Sequence, residues 1–265
     1  MTDQPAPSPL GSVDKALLTL DVLARAGASG TALATLAAEV GANKTTLHRT
    51  LAALRHRGYA EQTPGGRYRL GTAALALGAL FWREENLPDL LRPALTAICA
   101  EVDELAHLGA LAGREVVYLD KVEPQRAVRV WSAVGRRRPA ATTALGRAWL
   151  AALDAAAPLD RATLKAYAGS DTTAARLREA LDSAHRLGYA SEDEENEPGI
   201  ACLAVAVVRG SHPVAAVSIT APAERLRGVE REARATALLR TLPGLLPAGL
   251  EVPGARTRPA GEPDL

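Results

Sequence analysis

Apolar residues near the amino end recur at helical spacing. Val13, Leu17, Leu20, Leu23 and Ala24 fall at three- and four-residue steps behind Ser12 and Asp14, two residue types that cap helices, so the pattern predicts an amphipathic helix to about Arg25. Gly27 and Gly30 end it. A second helix runs through Leu33, Leu36, Ala37 and Val40 to Gly41, which suits a C-cap. Asn43 can cap a third, residues 44 to about 57, with Leu47, Leu51 and Leu54 facing inward. Residues 59–62 and 67–70 then read as two short strands joined by Pro64, Gly65 and Gly66. The stretch from 71 to about 85 is apolar enough to need a packing partner. It reads either as the last core helix of this unit or as a dimerisation strut presenting Leu75, Leu77, Leu80, Phe81 and Trp82.

Beyond residue 87 the pattern becomes mixed. Helical spacing appears at 90–103, 146–153, 160–168, 171–187 and 230–239, and strand-like runs at 107–112, 115–122, 127–132, 203–208 and 214–220, with turns at Gly113-Arg114 and Gly210-Ser211. The strands form hairpin pairs and do not alternate regularly with helices. That favours an antiparallel sheet flanked by helices, an α+β architecture, over a doubly wound parallel fold. The expected organisation is an arm (1–11), a winged helix-turn-helix domain (12–70), a linker helix (71–86), a second domain (87–250) and a tail (251–265), with arm and tail disordered.

Charge changes the picture at one place. The whole chain carries a formal +1, yet residues 41–70 hold Lys44, Arg49, Arg55, Arg57, Arg67 and Arg69 against Glu61 alone. Basicity concentrated on a rigid helix and a glycine-tipped hairpin suits the major groove and flanking phosphates of duplex DNA. The candidate DNA-binding residues are Lys44, Thr45, Thr46, His48, Arg49 and Arg55 on the helix and Arg67 and Arg69 in the wing, with Arg49 the leading candidate for a base contact. At 265 residues two domains are the expectation, and 48% hydrophobic content is enough to bury both cores. No run approaches the roughly 18 apolar residues needed to span a bilayer. The amino end, which has neither a basic start nor an apolar core, does not read as a signal peptide, and two cysteines give no disulfide framework, so a cytoplasmic, reduced protein is expected.

The chain resembles the IclR family of bacterial transcriptional regulators over nearly its whole length. The resemblance rests on SVDKALLTLDVLA, NKTTLHRTLAALRHRGY and GGRYRLGTAALALG in the first part, and on REVVYLDKVE, VGRRRPAATTALGRAWLA and RLGYASEDEENEPGIACLAVAV followed by VAAVSIT in the second. It implies a winged helix-turn-helix joined to a GAF-like effector domain, and homodimers or dimers of dimers on partly palindromic operators. It also implies control by a small organic effector, often a carboxylic or aromatic acid, and no cofactor. Carried over position by position, the effector site comprises Thr143, Ala144 and Leu145 before and within one helix, Glu192 in the acidic run, Cys202, and Ser218 with Thr220 on a late strand. Two residues apart, the last two share one face. The chain departs from the family pattern at Ala141, Arg147 and Glu192, where histidine, lysine and aspartate are usual.

Other readings of single features are weaker. Cys202 has no paired histidine motif, so it reads as a buried or site-lining thiol and not as a nucleophile; no catalytic residue is expected. His56, His107, His185 and His212 lack metal-ligand spacing, and SEDEENEPG lacks the ligand alternation of a calcium loop and reads as a solvated, helix-capping loop; no metal site is expected. Arg136, Arg137 and Arg138 read as a subunit contact or a solvated turn. An enzyme built on the second domain, or a protein-interaction module using the basic helix, stand as alternatives, without matching motifs.

Overall fold

The computed structural model describes residues 11–82, 86–127 and 129–253, excluding the side chains of residues 79, 81 and 82. Two compact units divide after Asn86.

The first unit runs α1 (Gly11–Ala26), α2 (Leu33–Val40), α3 (Lys44–His56), β1 (Ala60–Gln62), β2 (Tyr68–Leu70) and α4 (Thr72–Trp82). Its core gathers Val22 and Leu23 from α1, Leu36, Ala37 and Val40 from α2, Leu47 and Leu51 from α3, and Ala60 and Tyr68 from the hairpin. Leu54 is only partly buried against it. The Asn43 side chain caps α3, accepting from the Thr46 amide at 2.8 Å. Main-chain bonds of 2.8 Å in both directions join Thr31 to Tyr68 and add a rung beside the β1–β2 wing.

The inward face of α1 differs from the sequence expectation. Val13 and Leu17 are 52% and 58% exposed, and the buried positions are Thr19, Val22 and Leu23. Only the carboxy-terminal half of α1 carries buried residues, and Thr19 is tolerated there because its hydroxyl donates to the Lys15 carbonyl at 2.6 Å. Likewise Leu75, Leu77 and Leu80 of α4 remain exposed, so they are not core of this unit; the side chains of Phe81 and Trp82 lie outside those described.

The second unit runs α5 (Leu87–Val102), β3 (Leu105–Ala112), β4 (Glu115–Val122), β5 (Arg137–Pro139), α6 (Ala144–Ala156), α7 (Arg161–Ala168), α8 (Asp171–Leu187), β6 (Ala190–Asp193), β7 (Ile200–Arg209), β8 (His212–Pro222) and α9 (Gly228–Thr241). The strands form one sheet in the order β5-β4-β3-β8-β7-β6, every neighbouring pair antiparallel. Helices cover both faces: α6, with α8 behind it, lies on one, α5 and α9 on the other. This is the α+β architecture expected from the hairpin pattern.

Several local expectations are corrected. The described residues of 127–132 are in no strand; Ser132 is instead drawn into the interior, its hydroxyl 2.7 Å from His107 Nε2, and β5 pairs with residues 115–117 at the β4 edge. Strands β5 and β6 escaped the sequence pattern because they are short and charged. The acidic run is therefore not merely a solvated loop: its first part pairs with β7, and Glu192 is 2% exposed. At the carboxy end, Glu251 bridges Val208 and Val252 is buried, so the expected disordered tail cannot begin at 251. Gly11 is already helical, and residues 1–10 and 254–265 lie outside those described.

Helix α6 sits unusually close to the turn before it. A Cβ added at Gly146 would lie 2.2 Å from the Ala140 carbonyl oxygen, and one at Gly109 of β3 would lie 3.0 Å from Leu145 Cδ1. Gly146→Ala should therefore cost about 1 to 3 kcal/mol through overpacking, read as a lower denaturant midpoint in chemical unfolding. A midpoint unchanged from the parent chain would show that this approach is not tight.

Candidate functional site

Two groups of residues carry candidate chemistry, one in each unit. In the first, capping by Asn43 begins α3 and burial of Leu47 and Leu51 fixes its rotation, leaving Lys44, Thr45, His48 and Arg49 exposed on the outer face. Among the described residues, no side-chain hydrogen bond or ion pair engages these four. Thr46 is half-buried; its amide is the one held by Asn43, and its carbonyl accepts from Thr50 Oγ1 at 3.2 Å. The helix N-terminus adds unsatisfied amides and a partial positive charge on the same side.

The wing cations are tied down. Arg55 donates to Gln62 Oε1 at 3.2 Å, and Arg69 pairs with Glu61 Oε2 at 3.0 Å. Arg67 donates to the Gly30 carbonyl at 2.7 Å and to the Ser29 carbonyl at 3.1 Å, which fastens the wing to the α1–α2 turn while keeping its charge. These three are spread over the hairpin and its base, apart from the open group at the start of α3.

In the second unit the register of the sheet assembles the other group. His107 lies opposite Ser218, Thr220 opposite Cys202, and Cys202 opposite Glu192, so β3, β8, β7 and β6 present all five on the face that packs under α6. A chain of short contacts joins three of them to Ser132: Ser132 Oγ to His107 Nε2 at 2.7 Å, His107 Nδ1 to Thr220 Oγ1 at 3.3 Å, and Thr220 Oγ1 to Cys202 Sγ at 3.3 Å. The Tyr118 ring packs on His107, centroids 4.5 Å apart. Thr143, Ala144 and Leu145 are buried above this face, and the Thr143 hydroxyl is committed to capping α6 at the Gly146 amide, 3.2 Å away.

The electrostatics are those of an enclosed and mostly neutral site. Burial, helped by the charges of Lys121 and Arg136, lowers the His107 pKa to about 3, so the ring is neutral near pH 7. Burial likewise pushes the Cys202 thiol, the Tyr118 phenol and the Glu192 carboxyl upward. A raised thiol pKa is the opposite of what a cysteine nucleophile needs. Glu192 Oε2 accepts from the amides of Glu195 and Asn196 at 3.2 and 3.4 Å, whereas Oε1 is buried without a hydrogen-bond partner, the weakly donating Cys202 thiol beside it. Arg147, buried where the family pattern has lysine, donates to the carbonyls of Ala141 and Ser191, each at 2.9 Å, and grips Glu195 with both terminal nitrogens, so it binds α6 to the strand carrying Glu192.

The structure thus brings Thr143, Ala144, Leu145, Glu192, Cys202, Ser218 and Thr220 to one face and adds His107, weighed from the sequence only as a metal ligand, with Ser132 and Tyr118, which the sequence did not single out. The available signal was a histidine inside the apolar run LAHLGALA. A cavity of about 660 Å³ lies elsewhere, between α6, α8 and the β6–β7 edge, and half of its lining residues are alanines. It shares Ala190, Ala204 and Ala206 with the sheet face but none of the polar cluster, and the polar cluster is the better candidate because specificity needs directed donors and acceptors. Among the described residues no group of histidine, cysteine and carboxylate side chains could hold a metal ion, and no helix is long and apolar enough to cross a membrane.

Comparison with known proteins agrees with both units. Residues 12–64 match the IclR helix-turn-helix domain, and residues 82–242 match the bacterial transcriptional regulator IclR C-terminal domain. The chain is 35% identical over 227 residues to the HTH-type transcriptional regulator XynR of Escherichia coli K12, covering 83% of this chain and 89% of that one. It is 28% identical to the transcriptional repressor IclR of the same organism, covering 84% of each. Among solved structures, a putative IclR transcriptional regulator from a Silicibacter species superposes with a TM-score of 0.69 at 26% identity, over 88% of this chain and 94% of that one. Its relatives are transcriptional regulators and not enzymes, and this chain belongs to the IclR family of bacterial transcriptional regulators.

Proposed function

We propose that this regulator reads duplex DNA with the exposed polar start of α3 and that a small organic acid, bound at the His107–Thr220–Cys202–Glu192 cluster, controls its affinity for an operator. The observation that carries the first half is the unengaged set Lys44, Thr45, His48 and Arg49 on a helix whose rotation the core fixes. Thr46 and Arg55 sit beside that set, and Arg67 and Arg69 supply charge from the wing. The second half is supported by a buried polar cluster that includes an unpartnered carboxylate oxygen, a costly arrangement in an otherwise apolar interior. Exposed Val13, Leu17 and Leu18 on α1 and Leu75, Leu77 and Leu80 on α4 support self-association, as homodimer or dimer of dimers, on partly palindromic sites. The domain assignment follows: residues 12–70 for DNA, 71–86 as linker, 87–250 for effector. The effector acts only through its different affinities for the DNA-competent and DNA-incompetent arrangements.

Four measurements test this reading. Arg49→Ala should cost about 1 to 3 kcal/mol of affinity for a duplex selected from a random pool and relax preference at one base position; unchanged affinity and preference would falsify the docking of α3. Neutralising Arg69 should lower the slope of log affinity against log salt by about one, and an unaltered slope removes the wing from the interface. A thermal-shift screen of small organic acids should find a stabilising compound whose effect is lost in Thr220→Val; equal stabilisation of the variant places the effector elsewhere. Finally, His107 has an ordinary value of 6.5 and a folded value of about 3, so below pH 6.5 the unfolded chain takes up a proton that the folded chain refuses. Stability contributed by the neutral ring is fully present above pH 6.5 and declines as pH falls toward 3, by at most about 1.4 kcal/mol per pH unit. His107→Gln should flatten the acid limb of a stability–pH curve, and a limb of the same slope contradicts the buried neutral ring.

A further inference from the structure

The arginine run 136–138 takes no part in the function proposed above, yet two of its members face the effector cluster. Arg137 turns to Glu115, Nε to Oε2 at 3.3 Å. Arg138 lies opposite Val116, whose side chain is buried on the α6 face of the sheet; Arg136, just before β5, accepts through its carbonyl from the amide of Tyr118, which packs on that face, and its guanidinium also lies over the Trp131 ring at 5.6 Å. Both guanidiniums converge on one atom, Oε2 of Glu197, at 3.4 and 3.5 Å. Neither contact has the short bidentate geometry, about 2.7 to 2.9 Å, of a strong guanidinium–carboxylate pair. Two cations share one carboxylate, so positive charge is left in excess at this rim. The rim belongs to the cluster: Arg136 acts electrostatically on His107 and Tyr118, and Glu197 on Tyr118 and Cys202. Within the same cluster Glu192 Oε1, on a residue only 2% exposed, has no hydrogen-bond partner.

We propose that Arg136 and Arg138 form the anion-binding end of the effector site and that Glu197 occupies this end as an internal stand-in, which the acid group of the effector displaces. A hydroxyl or amino group of the effector then donates to Glu192 Oε1. This inference rests on the effector reading above and narrows it to small acids that also carry a hydrogen-bond donor. Glu197 competes with the ligand, so the empty site is only partly competent, and apparent affinity is reduced by that fraction. Removing the competitor and removing the receptor therefore have opposite signs, which a purely structural role for the three residues would not produce.

The test uses the full chain, thermal shift and titration calorimetry, and matched compounds: 4-hydroxybenzoate against benzoate and phenol, mandelate against phenylacetate and benzyl alcohol, and gluconate against hexanoate and glucose. At least one hydroxy acid should bind about tenfold or more tighter than both of its partners. Its affinity should fall about tenfold in Arg136→Ala and in Arg138→Ala, and rise in Glu197→Gln. Weaker binding in Glu197→Gln overturns the stand-in, as does equal binding of the hydroxy acids and their partners. Binding that Thr220→Val abolishes but the Arg136, Arg138 and Glu197 variants leave alone removes the anion end and keeps the effector site. Failure of every compound to bind removes both.

Discussion

The close seating of α6 on the sheet is the constraint from which the second unit follows. Glycine at 146 lets the first turn of the helix rest on the Ala140 carbonyl, and alanines at 144, 148, 151 and 152 meet alanines at 190, 204, 206 and 216 across the interface. Small side chains on both surfaces let helix and strands approach closely, and larger ones would force them apart. That approach puts Thr143, Ala144 and Leu145 directly over the strands that bear Cys202, Ser218 and Thr220. Arg147 then fastens the same helix to the β6 strand through the Ser191 carbonyl and to the following loop through Glu195, beside Glu192. A planar guanidinium can serve three partners at once, whereas an ammonium in the same position would be a point charge.

The site so formed has a neutral floor and a charged rim. His107, Ser132, Thr220 and Cys202 hand hydrogen bonds from one to the next and leave little free charge, while Arg136, Arg138, Glu197 and Lys121 surround them. Confining ionised groups to the rim limits the desolvation that a buried ion would suffer. Glu192 is the exception, and its raised pKa and unpartnered oxygen both express that cost. Just before β3, Glu104 is buried but fully matched, accepting from Nε and Nη2 of Arg225 at 2.7 and 2.8 Å. The contrast between the two carboxylates separates a structural ion pair from a group with capacity to spare.

The first unit solves a different problem, presenting polar atoms outward on a rigid frame. Its core holds α3 from behind, and its hairpin is anchored by the Thr31–Tyr68 rung and by Arg67 reaching the Ser29 and Gly30 carbonyls. In the reading proposed above, arginines whose donors are partly used at home still offer their charge to phosphates, which require proximity more than directed bonds. Base edges require directed bonds, and the four side chains at the start of α3 have theirs free.

Most of the first unit was legible from its periodicity, because short-range signals decide it: apolar spacing, a capping asparagine, a glycine stop, a Pro-Gly-Gly turn. The family resemblance was legible for the same reason, as ordered local fragments. The elements missed were those whose existence depends on a partner strand. β5 and β6 are short and charged and become strands only because β4 and β7 offer them an edge, whereas the described residues of 127–132 look strand-like yet pair with no strand. The sequence by itself determined helix identity, the basic face of α3 and the pairing of Ser218 with Thr220. Only the tertiary structure decided that His107 and Ser132, 25 residues apart, meet, and that Arg136 and Arg138 close on Glu197 about 60 residues further along. Such groups come together through sheet register and long-range packing, which no local pattern records.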